Sequence, residues 1–97
     1  TRQGLGFTCV VAADGQLAGV YTDGDLRRTL DNFHDLRDVR VDDVMTRPGK
    51  RISPDLLAAE AVRIMEDNRI TALAVVDEQQ RPIGALHMHD LLASGVI

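Results

Sequence analysis

Two four-residue steps carry the side chains best suited to chemistry. Thr22-Asp23-Gly24-Asp25 sets a hydroxyl and a carboxylate three residues apart, and His87-Met88-His89-Asp90 repeats the spacing with an imidazole first. A carboxylate accepts from two hydroxyl donors, and a helix N-terminus favours a nearby phosphate, so either step could hold a polar ligand. Thr-x-x-Asp is also a capping-box pattern that needs no ligand, and both readings stand. His87 cannot cap as a threonine does, which leaves the second helix opening available. An imidazole there can donate to a phosphate or carboxylate. His87, His89 and Asp90 offer up to three metal ligands, but strand alternation argues against both rings converging, and no metal is expected. Two surface histidines at a strand-to-helix turn is the plainer alternative. Around these steps lie Arg27 and Arg28, Arg69, and the group Arg47, Lys50 and Arg51. Together they would suit a phosphorylated or carboxylated ligand, though any one of them reads equally as solvated surface. Asp23-x-Asp25 lacks the further oxygen ligands of a calcium loop. Ser94 and Cys9 have no identifiable activating partner, so the chain is not read as an enzyme and no cofactor is required.

The setting for these residues is small. The chain has 97 residues, 44% hydrophobic and 27% charged, enough for one compact module with little core to spare. Phe7, Tyr21 and Phe33 are the only aromatics and the net charge is −4, which argues against stacking on bases or gripping a phosphate backbone. No apolar run reaches the ~18 residues of a membrane span. Cys9 is alone, which excludes a disulfide framework and favours a reduced, cytoplasmic setting.

The elements that position both steps form a repeat. A shift of 65 residues lays Cys9-Val10-Val11 on Ala74-Val75-Val76, Gly19 on Gly84 and Asp25-Leu26 on Asp90-Leu91. Each copy reads as a hairpin followed by a helix. Phe7–Val11 and Ala72–Val76 are the first strands, Asp14-Gly15 and residues 77–81 the turns, and Leu17–Tyr21 and Ile83–Leu86 the return strands. Leu26, Leu30 and Phe33 then fall at i, i+4 and i+7, an apolar stripe on the first helix. Only the second copy shows an upstream half. There Lys50-Arg51-Ile52 suits a short strand, and Ser53-Pro54 predicts a helix start with Ser53 as N-cap and Leu57, Ala61, Ile64 and Met65 on the core face. Asn68-Arg69 predicts its end. The first copy begins at its second strand, as though an opening strand and helix were cut off. The charged segment 34–43 connects the copies.

Val44-Met45-Thr46, Ile52-Ser53-Pro54-Asp55, the following helix, Ile70 to Asp77 and Ile83-Gly84 resemble a CBS domain, the cystathionine-β-synthase motif. The resemblance implies an α/β fold: a tandem CBS pair of β-α-β-β-α units with clefts between the sheets, residues 1–40 forming a partial first motif and 41–97 the second. In such domains the Thr-x-x-Asp step often contacts a nucleotide, with the carboxylate on the ribose. That role falls here on Thr22 and Asp25, and on Asp90 with His87 in the threonine's place. Thr71, beside a strand lining the cleft, could meet a base or ribose, or simply favour the strand.

A narrower resemblance rests on Gly4-Leu5-Gly6-Phe7-Thr8, Tyr21 to Arg28, and Leu86-His87-Met88-His89-Asp90-Leu91-Leu92. These stretches are similar to the C-terminal CBS pair of bacterial D-arabinose 5-phosphate isomerases, whose product feeds synthesis of Kdo, an acidic sugar of lipopolysaccharide. The resemblance implies a regulatory module attached to an N-terminal sugar-isomerase domain, forming a homodimer or larger oligomer. Its ligand would be a nucleotide or nucleotide sugar. Family habit suggests AMP or ATP, whereas CMP-Kdo offers a ribose, a phosphate and a carboxylate that would occupy the arginines and His87. The expected ligand set is Thr22, Asp25, Arg27, Arg28, Arg51, Thr71, His87, His89 and Asp90. Two alternatives remain open: a purely structural module, and a metal or redox sensor using His87, His89 and Cys9.

Overall fold

The computed structural model describes residues 6–95. They form two compact units that divide between Gly49 and Lys50.

In the first unit, strand β1 (Phe7–Val11) pairs antiparallel with β2 (Leu17–Thr22). The turn between them is locked by Ala12 donating to the Gln16 carbonyl and Gly15 to the Ala12 carbonyl, both at 2.9 Å, and Gly15 supplies the φ of +85° that the turn needs. Helix α1 (Asp23–Asn32) follows without a loop, and a short helical turn α2 (Val41–Val44) lies within the connecting segment. The unit extends past the expected motif boundary at residue 40 because residues 41–49 pack on β2. Thr46 and Val20 exchange two backbone hydrogen bonds of 2.8 Å, and Gly49 is buried against Val20. The compact units part between Gly49 and Lys50, nine residues beyond the expected motif division.

The second unit holds strand β3 (Arg51–Ile52), helix α3 (Ala58–Asn68), strands β4 (Ala72–Val76) and β5 (Pro82–His87), and helix α4 (Met88–Ser94). The sheet order is β3-β4-β5, with β3 parallel to β4 and β5 antiparallel to it. A parallel pair needs a crossover, and α3 supplies it. Its inner face brings Ala61 and Met65 against Ile52, Leu73 and Leu91, all of them buried. Arg69, at φ +54°, ends the helix in the left-handed conformation, as Asn68-Arg69 predicts.

Two local expectations are corrected. Ser53-Pro54 does not start α3. The Ser53 hydroxyl accepts from the Asp55 amide and its carbonyl from Leu56, so the capping side chain serves a separate turn and the helix begins only at Ala58, with Leu57 as an N-cap lacking a side-chain bond. Leu57 consequently stands 68% exposed, and Leu56 packs against the core instead. The Leu26, Leu30 and Phe33 stripe is exposed as well. What α1 buries is Asp25 and Thr29, because among the described residues of the first unit no helix takes the place that α3 holds in the second.

Candidate functional site

The first step sits where β2 passes directly into α1. Thr22 keeps an extended backbone (φ −120°) and acts as N-cap: its hydroxyl accepts from the Asp25 amide at 3.3 Å, while its own amide donates to Asp25 Oδ2 at 2.9 Å. This is the capping box that the spacing allows. The Asp25 carboxylate is then filled from other directions. Thr46 donates to Oδ1 at 2.8 Å, the Thr22 hydroxyl lies 3.1 Å from Oδ2, and the Arg28 guanidinium, one turn along α1, pairs with Oδ1. Asp25 is only 2% exposed. Burial alone would raise its pKa, but these hydrogen bonds together outweigh burial and hold the carboxyl below the usual range. Behind it, Thr29 donates to the Asp25 carbonyl at 2.8 Å, which leaves the Tyr21 hydroxyl to donate to Thr29 at 3.0 Å. Both oxygens of Asp25 therefore serve the fold. Arg28 is pinned to it, and Arg27 lies exposed on the same helix.

The second step sits at the equivalent junction of β5 and α4, with different partners. His87 has the same extended N-cap backbone (φ −107°), but its side chain makes no capping bond. Asp90, third residue of the helix, is exposed, and its carboxylate meets no donor among the described residues. Thr71 is exposed beside it: the Met88 amide donates to the Thr71 carbonyl at 2.8 Å, and Ala72 pairs with His87 across the sheet. Thr71, half-buried His87 and Asp90 thus gather at one end of β4, with exposed His89 on the next position of the helix. The arrangement presents the Asp90 carboxylate and the Thr71 hydroxyl at an exposed end of the hairpin.

Arg51 does not join them. It faces Ala74 on β3, and its guanidinium points to Gln80 Oε1 at 3.5 Å, towards the β4–β5 turn at the other end of the strand. A cavity of about 510 Å³ lies there, lined by Arg51, Ser53, Asp55, Asp77 and Gln80. A second, mostly apolar groove of about 390 Å³ runs along Ile52, Pro54, Val75, Gly84, Leu86 and Leu91. Thr71, His87 and Asp90 line neither of these two spaces. Residue-type reasoning passes over the groove because its walls are ordinary core aliphatics. The one legible signal is Gly84, matched to Gly19 in the repeat.

Among the described residues, no group of three or more His, Cys, Asp or Glu stands close enough to hold a metal ion. Cys9 is half-buried, and burial pushes its thiol pKa up, away from the reactive thiolate. No helix of the described residues is long and apolar enough to cross a membrane. Gly4 and Leu5 of the first motif stretch lie outside the described residues.

A pair of hairpin-plus-helix units related by an exact sequence shift, with an x-x-Asp step opening each last helix, defines the class. The CBS domain family model matches residues 41–96, and the chain belongs to that family. Over all 97 residues the chain is 59% identical to the arabinose 5-phosphate isomerase KdsD of Pseudomonas aeruginosa and 45% identical to that of Yersinia pestis. It spans only 30% and 29% of the length of these relatives, corresponding to their C-terminal CBS region. Among solved structures, the CBS domain pair of protein MJ0100 in complex with 5′-methylthioadenosine and S-adenosyl-L-methionine matches with a TM-score of 0.81. It shares 22% identity over 94% of this chain and 72% of that one. The cytosolic domain of the Mg2+ channel MgtE in complex with ATP matches with a TM-score of 0.74, 32% identity, and coverage of 91% and 33%.

Proposed function

We propose that this chain is the ligand-responsive regulatory module of a D-arabinose 5-phosphate isomerase, and that its second unit reads a nucleotide or nucleotide sugar. The observation that carries the reading is the exposed Asp90, set at the β5–α4 junction next to the end of β4 where the Met88 amide bonds the Thr71 carbonyl. Asp90 would accept from ribose hydroxyls, and His87 or an arginine would meet a phosphate or carboxylate. CMP-Kdo carries all of these groups. Support for the nucleotide class comes from the MgtE relative, solved with ATP, and support for the parent enzyme comes from the identity to KdsD along the whole chain. The ligand would favour one arrangement of the module and pass that preference to an attached isomerase domain. In the first unit, Thr22, Asp25 and Arg28 act as the fold's clasp, and Arg27 remains available to a ligand.

A second reading has its own observation. The exposed stripe of Leu26, Leu30 and Phe33 suits a homo-oligomer contact, in which case the module would fix assembly and bind nothing.

A thermal-shift comparison with CMP-Kdo, CMP, AMP and ATP separates the two. A ligand at 100 times its Kd adds ~2.7 kcal/mol, which is of order 10 °C on a module of this size. CMP-Kdo is expected to raise Tm and Asp90→Ala to abolish the rise. An adenylate shift alone would replace feedback sensing with energy sensing, and no shift with any of the four would hand the module to the structural reading.

A further inference from the structure

Two Asp-Gly pairs occur in the chain, at 14–15 and 23–24, and the fold treats them differently. An aspartate followed by glycine can close on itself, because a residue without Cβ leaves its amide nitrogen open to attack on the preceding carboxyl. At 23–24 the fold works against this. Asp23 is the first residue of α1, its backbone fixed beside the capping box of Thr22 and Asp25. Its Oδ2 accepts from the Gly6 amide at 3.1 Å, which commits the carboxylate to a donor 17 residues upstream. At 14–15 the setting is the opposite. Asp14 is exposed in the turn between β1 and β2, and its Oδ1 accepts from the Gln16 amide at 3.0 Å. The ring closed by that bond encloses the Gly15 nitrogen, so the carboxyl is folded over the atom that would attack it. What restrains the nitrogen is its own bond to the Ala12 carbonyl at 2.9 Å. That bond lies at the end of the hairpin and opens without unfolding the helix or the rest of the ladder.

The second unit holds the same turn without the chemistry. It closes with Asp77 donating to the Arg81 carbonyl and Gln80 to the Asp77 carbonyl, both at 3.0 Å, and Gln80 takes the left-handed position of Gly15 at φ +65°. Gln79-Gln80 stands where the first turn has Asp14-Gly15, and its longer side chain and crowded amide do not form the five-membered ring. The geometry points to Asp14-Gly15 as a modification site, at which the chain isomerises to isoaspartate through a cyclic imide. The Gly15 nitrogen attacks Cγ of the protonated Asp14 carboxyl. The N–Cγ bond forms, and the carboxyl hydroxyl leaves with the amide proton as water. Water then adds at the former main-chain carbonyl of Asp14 and breaks its bond to the Gly15 nitrogen. The chain now runs through Cβ and Cγ, one bond longer, and the displaced carbonyl has become a free carboxylate. The net change is an isomerisation, with the water lost in the first step regained in the second. The extra methylene lies inside both hydrogen-bonded rings of the turn, Ala12 to Gln16 and Gly15 to Ala12. Neither ring then closes as before, directly beside the pair of Val11 with buried Leu17.

The test incubates the whole 97-residue chain at physiological temperature in mildly acidic buffer. Chymotryptic fragments, cut at Tyr21 so that Asp14 and Asp23 separate, are then treated with an isoaspartyl carboxyl methyltransferase and labelled S-adenosylmethionine. The Asp14 fragment is expected to split into two peaks of equal mass, with methyl label on the new one. The Asp23 fragment should stay single and unlabelled. Gly15→Gln and Asp14→Gln, which copy residues that the second turn holds in the same backbone geometry, should each lose the second peak. In urea, where both pairs are plain Asp-Gly, label on Asp23 should rise to the rate of Asp14. A single unlabelled Asp14 peak from the native chain would overturn the inference. Label on Asp23 at the Asp14 rate without urea, or none on it in urea, would remove the fold from the explanation and overturn it as well.

Discussion

The β2–α1 and β5–α4 junctions are the same structure built twice. Each has an extended N-cap residue, no intervening loop, and an aspartate as the third residue of the helix. At the first, a threonine completes the capping box, Thr46 and Arg28 close over the carboxylate, and Asp25 disappears from solvent. At the second, a histidine leaves the cap unmade and Asp90 stays exposed. The difference lies in the neighbours. Residues 41–49 and Arg28 give the first carboxylate a structural occupation, and among the described residues nothing takes their place at the second. The helices differ in the opposite sense: Leu91 of α4 is buried against α3, and the equivalent Leu26 of α1 is bare.

The sharpest way to break this comparison is at the equivalent leucines. Leu91→Ala is expected to cost about 2–4 kcal/mol, read as faster amide exchange at Leu73 and Ala74, because it opens a cavity in the core cluster of Ile52, Ala61, Met65 and Leu73. Leu26→Ala should change stability by less than about 0.5 kcal/mol in this chain. Equal costs would mean that Leu26 is covered in solution.

Next in size is the aspartate pair. Asp25→Ala strands Thr22, Thr46 and Arg28 at once and is expected to cost about 2–3 kcal/mol. Tyr21, the only tyrosine of a chain without tryptophan, reports this loss through its fluorescence. Asp90→Ala should leave stability within about 0.5 kcal/mol while removing ligand response. The pH dependence follows the same division. The Asp25 carboxyl titrates below its unfolded value, so its contribution is fully present above that value, ~3.9, and is lost as pH falls through the folded pKa. Acid unfolding followed at Tyr21 should therefore lose this component in Asp25→Asn, whereas Asp90→Asn should leave it in place.

The glycines give the smallest effect. Gly19→Ala must push back the Thr46 carbonyl and the Met45 side chain and is expected to cost about 1–3 kcal/mol by urea unfolding. Gly84→Ala should be neutral to slightly stabilising, since its methyl enters open space and alanine restricts the unfolded chain. A cost at position 84 as large as that at 19 would show β5 already covered.

Periodicity and turn chemistry made the hairpins legible before any coordinates. Asp-Gly at 14–15 and a polar run at 77–81 mark turns that close with equivalent hydrogen bonds: Asp77 donates to the Arg81 carbonyl as Ala12 does to that of Gln16. Even the left-handed position recurs, on Gly15 and on Gln80. Where reading failed, a local signal had two uses. Ser53-Pro54 is as good a turn as a helix start, and the backbone spent it on the turn. A stripe such as Leu26, Leu30 and Phe33 records that a helix expects an apolar partner, without recording whether that partner is present.

The sequence by itself determined the local elements, the repeat that relates them, and the capping box at Thr22 and Asp25, because each depends on residues a few positions apart. Which aspartate would be consumed by the fold was decided only in three dimensions. Thr46 lies 21 residues from Asp25, and no spacing rule connects them. Their hydrogen bond exists because residues 41–49 return to β2, and nothing among the described residues returns to β5 in the same way.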